Sequence, residues 1–240
     1  MKGIARLSAR LCTEQSAYIN PASLLSAIKK QLAMSLAIRP ATLDDAPALS
    51  RICLLTADAG QSAENQCTVK DLPGTVHALP YVNLDSCWGF VLVDSGASQD
   101  GQEHVVGYVL GSSSVRKFEE EATEKWWPRM RELYPVSTVT NATLSSSSNA
   151  GTENAPSMQY TPSDIYYFNL LAHPITTGQD IIDAAGPACM HINILPEHQR
   201  QGWGRQMVEI AARKVREDLG NVKGSKVWAG VDPRNDEGRK

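Results

Sequence analysis

The chain has 240 residues, of which 42% are hydrophobic, so it is long enough to form one sizeable folded domain. Its formal net charge is -3 and its basic residues are scattered, which argues against a nucleic-acid or membrane partner. A small-molecule or protein substrate is therefore favoured. No apolar run approaches the roughly 20 residues of a membrane helix, and the five cysteines form no Cys-x-x-Cys pair that would predict zinc or a disulfide framework.

The N-terminal segment differs from the rest in charge. Its basic residues, Lys2, Arg6, Arg10, Lys29 and Lys30, stand against a single acid, Glu14. We predict a flexible extension over residues 1–35. The unpaired thiols favour a cytoplasmic protein, and the weak likeness of residues 1–35 to a transit peptide leaves a mitochondrial location as the alternative.

The folded region begins with a short strand and a helix. Leu36–Pro40 is apolar and ends at a proline, and Thr42 with Asp45 three positions later is typical of a capping box. The helix that follows shows one apolar face, made of Ala46, Leu49, Ile52 and Cys53. From 57 to 83, glycines and prolines interrupt the periodicity and predict a short helix within loops.

Two β-strands and a charged helix come next. Trp88–Val93 and His104–Leu110 flank a turn-rich segment and predict an antiparallel hairpin. Val115–Leu133 has apolar residues at helical spacing, among them Trp126 and Trp127, which we interpret as packing residues rather than a binding cage.

The C-terminal half resumes after a low-complexity insertion that we predict over residues 137–163, where Ser, Thr, Asn and Gly dominate. Ile165–Leu171 predicts a helix, Ala188–Leu195 a strand, and Lys226–Val231 a final strand. Between the last two, a long helix shows one apolar face, made of Met207, Val208, Ala211, Val215 and Leu219. Strands mixed with helices, with a hairpin among them, predict an α/β domain with a mixed sheet over residues 36–240.

The strand and turn before the long helix carry the strongest functional signal. In the strand, His191 and Asn193 alternate with apolar residues and therefore share one face, which we expect to border a cleft. Gln199–Gly204 then opens the helix, and its glycines allow backbone N–H groups to approach a ligand closely. A helix N-terminus of this kind suits a pyrophosphate.

This segment resembles the coenzyme A pyrophosphate loop of the GNAT superfamily of N-acetyltransferases, Gln/Arg-x-x-Gly-x-Gly/Ala, at Gln199, Gly202 and Gly204. The resemblance implies a GNAT-type mixed, mostly antiparallel sheet flanked by helices, and acetyl-CoA as cosubstrate. It further implies cofactor contacts from Ile194, Leu195, Gln199, Arg200, Gln201, Gly202, Trp203, Gly204, Arg205 and Asn235.

The resemblance extends over about residues 36–240, except the Ser-rich insertion. Ile52–Gly60, Trp126–Pro128 and His191–Pro196 are similar to the branch that includes the acetyltransferase-like domain of some O-GlcNAc hydrolases. The family places a further helix with Phe-Tyr and a last strand after the position of Asn235, whereas this sequence stops at Lys240. The expectation is therefore that the sequence is truncated, that Tyr166 or Tyr167 replaces the usual acid tyrosine, or that the protein does not catalyse.

The resemblance implies direct attack of an amine on the thioester in a ternary complex. The amine needs a base, for which Asp58, His173 and His191 are the candidates, and Asn193 would add polarity to the cleft. Each also has a structural interpretation: Asp58 can shape a turn, His173 can be a solvated loop residue, and His191 can be hydrogen-bonded within the sheet.

Three functions compete on these residues. The first is an active N-acetyltransferase on a small-molecule or protein amine, and the second is a catalytically silent acyl-CoA-binding or interaction module. An oxidoreductase is disfavoured, because Met207 stands where a dinucleotide fingerprint needs its third glycine. A nucleotide P-loop is disfavoured as well, because no Gly-Lys-Ser/Thr follows the glycines. A plain strand-to-helix turn is the structural alternative for Gln199–Gly204.

Overall fold

The computed structural model describes residues 35–96, 102–135, 160–220 and 226–235. The extension predicted over 1–35 and the insertion predicted over 137–163 lie almost wholly outside these ranges and stay predictions. Within the described residues, one sheet has the order β1-β2-β3-β4-β5, antiparallel from β1 to β4 and parallel between β4 and β5. Its strands are β1 (Leu36–Pro40), β2 (Trp88–Asp94), β3 (His104–Ser112), β4 (Ala188–Ile194) and β5 (Val227–Trp228). The predicted α/β class with a mixed, mostly antiparallel sheet is confirmed.

Helices flank this sheet. In chain order they are α1 (Ala46–Thr56), α2 (Leu72–His77), α3 (Pro80–Asn83), α4 (Val115–Glu121), α5 (Trp127–Leu133), α6 (Pro162–Ala172), α7 (Gln179–Ala185) and α8 (Trp203–Asp218). A π-helical turn joins α4 to α5, so the predicted helix over 115–133 is confirmed as one helical run. Among the described residues, no helix combines the length and apolar composition that spanning a bilayer requires.

The first strand and helix form as predicted. Thr42 and Asp45 make the capping box before α1, and the Arg39 guanidinium donates two hydrogen bonds of 2.9 Å to the Asp45 carboxylate. This pairing, with burial opposing it, holds the pKa of Asp45 below its ordinary value. The charge-assisted bonds fix the angle at which the chain leaves β1 and enters α1.

Each face of the sheet is covered by one long helix. On one face α1 buries Leu49, Ile52 and Cys53 against β2 and β3. On the other face α8 buries Met207, Ala211 and Val215 in a cluster with residues of β2, β3 and β4. The prediction that Val208 belongs to the buried face of α8 was wrong, since 36% of this residue is exposed. It lies one position beyond Met207 and so is rotated by about 100° out of the apolar stripe.

A third cluster lies among the helices beside the sheet. Trp126 and Trp127 are buried in it at 5% and 8% exposure, and the Trp126 indole N–H donates to the carbonyl of Thr75. The interpretation of both tryptophans as packing residues is confirmed.

One buried carboxylate ties the helical cluster together. Asp164 in α6 has 0% exposure and accepts hydrogen bonds of 2.9 to 3.1 Å from the backbone N–H groups of Thr68, Val69 and Thr161. Burial raises the pKa of Asp164, but the three N–H donors outweigh it and leave that pKa below its ordinary value. Residues 160–163, which the sequence places in the insertion, are therefore folded as the cap of α6.

We expect Asp164→Asn to lower the free energy of unfolding by about 2–4 kcal/mol at pH 7, because the amide nitrogen cannot accept from these N–H donors. Because the folded pKa of Asp164 is lowered, its contribution is present above the unfolded value of about 3.9 and is lost as the pH falls through the folded value. Urea unfolding of both proteins at pH 7 and at pH 3 measures this. If the free energies of unfolding of the two proteins differed by the same amount at pH 7 and at pH 3, this role of the Asp164 carboxylate would be contradicted.

Two elements differ from the sequence-based expectation. The final strand was predicted over Lys226–Val231, but β5 ends at Trp228, because it separates from β4 after two paired residues. Helix α7 was not predicted, since none of its residues is buried and no apolar periodicity marks it.

Candidate active site

The site lies where β4 and β5 separate. Among the described residues, the parallel strands pair at Ala188 with Val227 and at Cys189 with Trp228. Beyond this point a cavity of about 900 Å³ opens, with Met190–Asn193 on one side and Trp228–Val231 on the other. The predicted cleft beside the polar face of β4 is present.

The backbone of β4 contributes donors to this opening. The N–H of Leu195 donates to the carbonyl of Val106 at 2.9 Å, so the odd-numbered residues of this strand direct their backbone groups toward β3. Backbone groups alternate along a strand, and those of Ile192 and Ile194 consequently point away from β3, toward the gap before β5. A ligand lying in this gap meets the N–H of Ile192.

The polar side chains of β4 belong to a cluster of one amide and three aromatic rings, joined by hydrogen bonds and ring contacts. The Asn193 amide nitrogen donates to the Tyr108 hydroxyl at 2.8 Å and lies 2.9 Å from Nε2 of His191. With the amide nitrogen as donor, Nε2 of His191 is the acceptor and the proton resides on Nδ1. The His191 ring stacks between Tyr108, at 5.6 Å, and His77, at 6.0 Å between centroids.

Both imidazoles of this cluster are neutral near pH 7. Burial lowers the pKa of His191 to about 3, with a smaller contribution from His77, and burial lowers the pKa of His77 to about 4. Burial also raises the pKa of the Tyr108 hydroxyl well above its ordinary value. The cluster therefore places lone pairs and hydrogen-bond donors, but no net charge, beside β4.

We expect ¹⁵N NMR spectra of the imidazole nitrogens to show His77 and His191 unprotonated at pH 5.5. Because both pKa values are lowered in the folded protein, the contribution of these two histidines to its stability is full above their pKa in the unfolded chain, about 6.5. This contribution is lost as the pH falls toward 4. The variants His77→Gln and His191→Gln assign the signals. An imidazolium signal that appears near pH 6.5 for either residue would overturn this description of the cluster.

Asp58 lies on the cavity wall at its open side. Its carboxylate accepts from Nη1 of Arg234 at 2.8 Å and from the Gln66 side-chain amide at 2.5 Å. Asn235 also lines the cavity, and a Cβ added at Gly60, whose φ is +90°, would lie 3.2 Å from its amide nitrogen. The C-terminal described residues therefore rest on the loop that carries Asp58.

Tyr166 and Tyr167 of α6 line the cavity, whereas His173, the remaining candidate for the base, does not. Tyr167 is buried on the cavity wall with its ring 5.9 Å from that of His77, and burial raises the pKa of its hydroxyl. Tyr166 also lines the cavity but is 54% exposed. His173 ends α6 as its exposed C-cap residue and is not part of the cavity wall, so the structure does not bring it to the other candidates.

The turn before α8 is open to solvent. Gly202 is its N-cap residue, in the left-handed conformation at φ +87°, with no side-chain cap hydrogen bond. A Cβ added there would have nothing within 4 Å, and Gln199, Arg200 and Gln201 are exposed as well. The first-turn amides of a 16-residue helix are thus accessible from outside the protein.

Side chains around this turn mostly brace it. The Gln199 amide donates to the carbonyl of Ile194 at 2.7 Å, and the Gln201 amide donates to the carbonyl of Glu197 at 3.0 Å. Trp203 packs against the cluster under α8, and Arg205, 85% exposed in its side chain, pairs with Glu209. The turn continues directly from the end of β4 but does not itself line the cavity.

His77, Glu119 and Arg234 line the cavity but were not predicted as site residues. Tyr108 was not predicted either, and it enters the site through its hydrogen bond with Asn193. His77 lies in the stretch between 57 and 83 where broken periodicity hid α2. A histidine among the apolar residues of such a helix is the only signal that points to it. Among the described residues, no group of three or more histidine, cysteine or acidic side chains is placed to hold a metal.

Comparisons with known proteins agree with this architecture. No protein-family model matches the chain. The solved structure of SsHAT is 28% identical to it, with 85% of this chain and 87% of that chain aligned at a TM-score of 0.64. The GNAT-type α/β fold implied by the resemblance is thereby confirmed.

Two further solved structures are N-acetyltransferases by name. They are an agmatine N-acetyltransferase mutant in its apo form and the Drosophila melanogaster polyamine N-acetyltransferase, which forms N-acetylagmatine. Each is 16% identical, with 78% and 77% of this chain and 72% of each other chain aligned, at TM-scores of 0.36 and 0.35. Scores this low carry no inference about substrates, and the branch near O-GlcNAc hydrolases stays a prediction.

Proposed function

We propose that this protein is an acetyl-CoA-dependent N-acetyltransferase. The observation that carries the proposal is the juxtaposition of two features along one strand. An uncapped helix N-terminus stands at the end of β4, and a cavity lies along the edge of the same strand, where β5 departs from it. An elongated ligand with a diphosphate at one end and a thioester at the other fits this arrangement.

The residues present fit coenzyme A. Exposed amides at the start of α8 and the positive end of its dipole suit a pyrophosphate, and the bare face of Gly202 leaves room for it. The N–H of Ile192 suits the carbonyls of the pantetheine arm and the acetyl group. When bound, acetyl-CoA supplies an activated acyl carbon with a thiolate leaving group.

The chain's own residues then have three tasks. Asp58 takes one proton from the bound ammonium and releases it to solvent, which leaves a neutral amine whose lone pair attacks the acyl carbon. As the C–N bond forms, Asp58 accepts the second proton from the same nitrogen. The N–H of Ile192 donates to the oxygen of the acyl group while negative charge develops on it. Tyr167, protonated at neutral pH, gives its proton to the sulfur as the C–S bond breaks.

A catalytically silent acyl-CoA-binding module is the second candidate. Both oxygens of Asp58 and Nε2 of His191 already hold protein partners, which favours structural roles for these groups. Two assays separate the candidates. Protection by coenzyme A in a thermal shift assay is expected from both, and amine-dependent thiol release from acetyl-CoA is expected only from the enzyme. Absence of coenzyme A protection would reject both.

A further inference from the structure

The charge of the cavity wall restricts what enters it. Its carboxylates are Asp58, Glu119 and Asp232, and the wall has a single guanidinium, Arg234, among the described residues. His77 and His191 add no charge near pH 7. The wall thus has an excess of negative charge, which attracts cations and repels anions.

These carboxylates differ in how many hydrogen bonds from charged protein groups a ligand cation has to compete with. Glu119 is 14% exposed in its side chain and accepts from the Arg116 guanidinium at 2.7 Å and from the Thr177 N–H at 2.6 Å. Asp232 is held by Arg234 from its own turn. Arg234 donates three hydrogen bonds to Asp232 but only one to Asp58, whose other oxygen accepts from the neutral Gln66 amide. The Arg234 side chain is 66% exposed, so its single bond to Asp58 is weak enough for a ligand cation to share that carboxylate.

Part of the opening of the cavity is apolar. Tyr166, Ile175 and Val231 line it while 54%, 76% and 43% exposed, so large apolar side chains remain in water at this place. Further in, Tyr81 and Phe118 stack at 4.8 Å between centroids. We call Tyr166, Ile175 and Val231 the apolar rim. A ligand that covers the rim gains from removing this surface from water.

We propose that the acceptor is a small primary amine with an aromatic or apolar body and no second charged group. Asp58 holds its ammonium, and its body covers the apolar rim. A second ammonium would be desolvated against aromatic walls without a free carboxylate, and a carboxylate on the acceptor would meet the negative wall. This inference rests on the proposed function only in so far as the bound amine becomes acetylated. Binding of the amine can be measured without acetyl transfer.

Calorimetric titration of the full chain with phenethylamine, putrescine and γ-aminobutyrate, with and without coenzyme A, tests the acceptor class. We expect phenethylamine to bind about tenfold or more tightly than either other amine, a difference of about 1.4 kcal/mol. Putrescine or γ-aminobutyrate binding as tightly as phenethylamine, or no phenethylamine binding at all, overturns the inference.

Two variants that break the same ion pair locate the ammonium. We expect Asp58→Asn to weaken phenethylamine binding about tenfold or more, and Arg234→Gln to keep or strengthen it, because the carboxylate then has no competing cation. Equal losses in both variants, or no loss in Asp58→Asn, would contradict this role of Asp58. Bound phenethylamine without thiol release would count against acetyl transfer and not against the acceptor class.

Discussion

Gly202→Glu is expected to raise the dissociation constant of coenzyme A at least 100-fold while the protein stays folded. Gly202 has φ +87°, and the space beside it is open, so a glutamate there puts a carboxylate where the proposal places the pyrophosphate. A 100-fold loss corresponds to about 2.7 kcal/mol, within reach of like-charge repulsion in a partly desolvated site. Isothermal titration calorimetry measures the change.

The other end of α8 provides a matched control. Gly220 also has positive φ, at +73°, and a Cβ there would likewise meet nothing within 4 Å. Gly220→Glu thus introduces the same charge and the same backbone strain of about 1–2 kcal/mol, but far from the turn. We expect it to leave coenzyme A affinity within about twofold. Equal losses in the two variants would mean that strain or net charge, not the turn, controls binding.

Tyr167→Phe is expected to lower kcat about 100-fold with little change in the KM for the amine, because the variant removes the proposed proton donor and keeps the ring. Tyr167 is buried and lies beside His77, whose ring in turn stacks on His191 of β4. Steady-state thiol release with a saturating amine measures both constants.

The neighbouring tyrosine is the control for this assignment. Tyr166→Phe makes the same chemical change one residue away, at an exposed position on the apolar rim. We expect its kcat to stay within about threefold of the unsubstituted protein. If Tyr166→Phe lost activity and Tyr167→Phe did not, the proton donor would be the exposed tyrosine. Full activity in both would remove tyrosine from the mechanism.

Local patterns in the sequence were enough to predict most of the sheet and the long helices. The capping box at Thr42 and the alternation of His191 with apolar neighbours depend on residues close together in the chain, and both are confirmed. The glycine turn before α8 was equally visible, and its exposure agrees with the ligand-binding role that we propose.

What the sequence did not show depends on contacts between distant segments. His77 reaches His191 because α2 packs against α1, which in turn contacts β4, and Arg234 reaches Asp58 across 176 positions of chain. His173, a base candidate from its residue type alone, faces solvent at the end of α6. Periodicity reports which face of an element is buried, but it does not report which elements meet around a cavity.

A crystal structure with coenzyme A bound tests the central claim most directly. The account predicts pyrophosphate oxygens at hydrogen-bond distance, about 2.7–3.2 Å, from main-chain nitrogens between Gly202 and Arg205. It also predicts that the pantetheine arm lies in the gap between β4 and β5. Coenzyme A bound elsewhere, with the turn before α8 free of ligand, would contradict it.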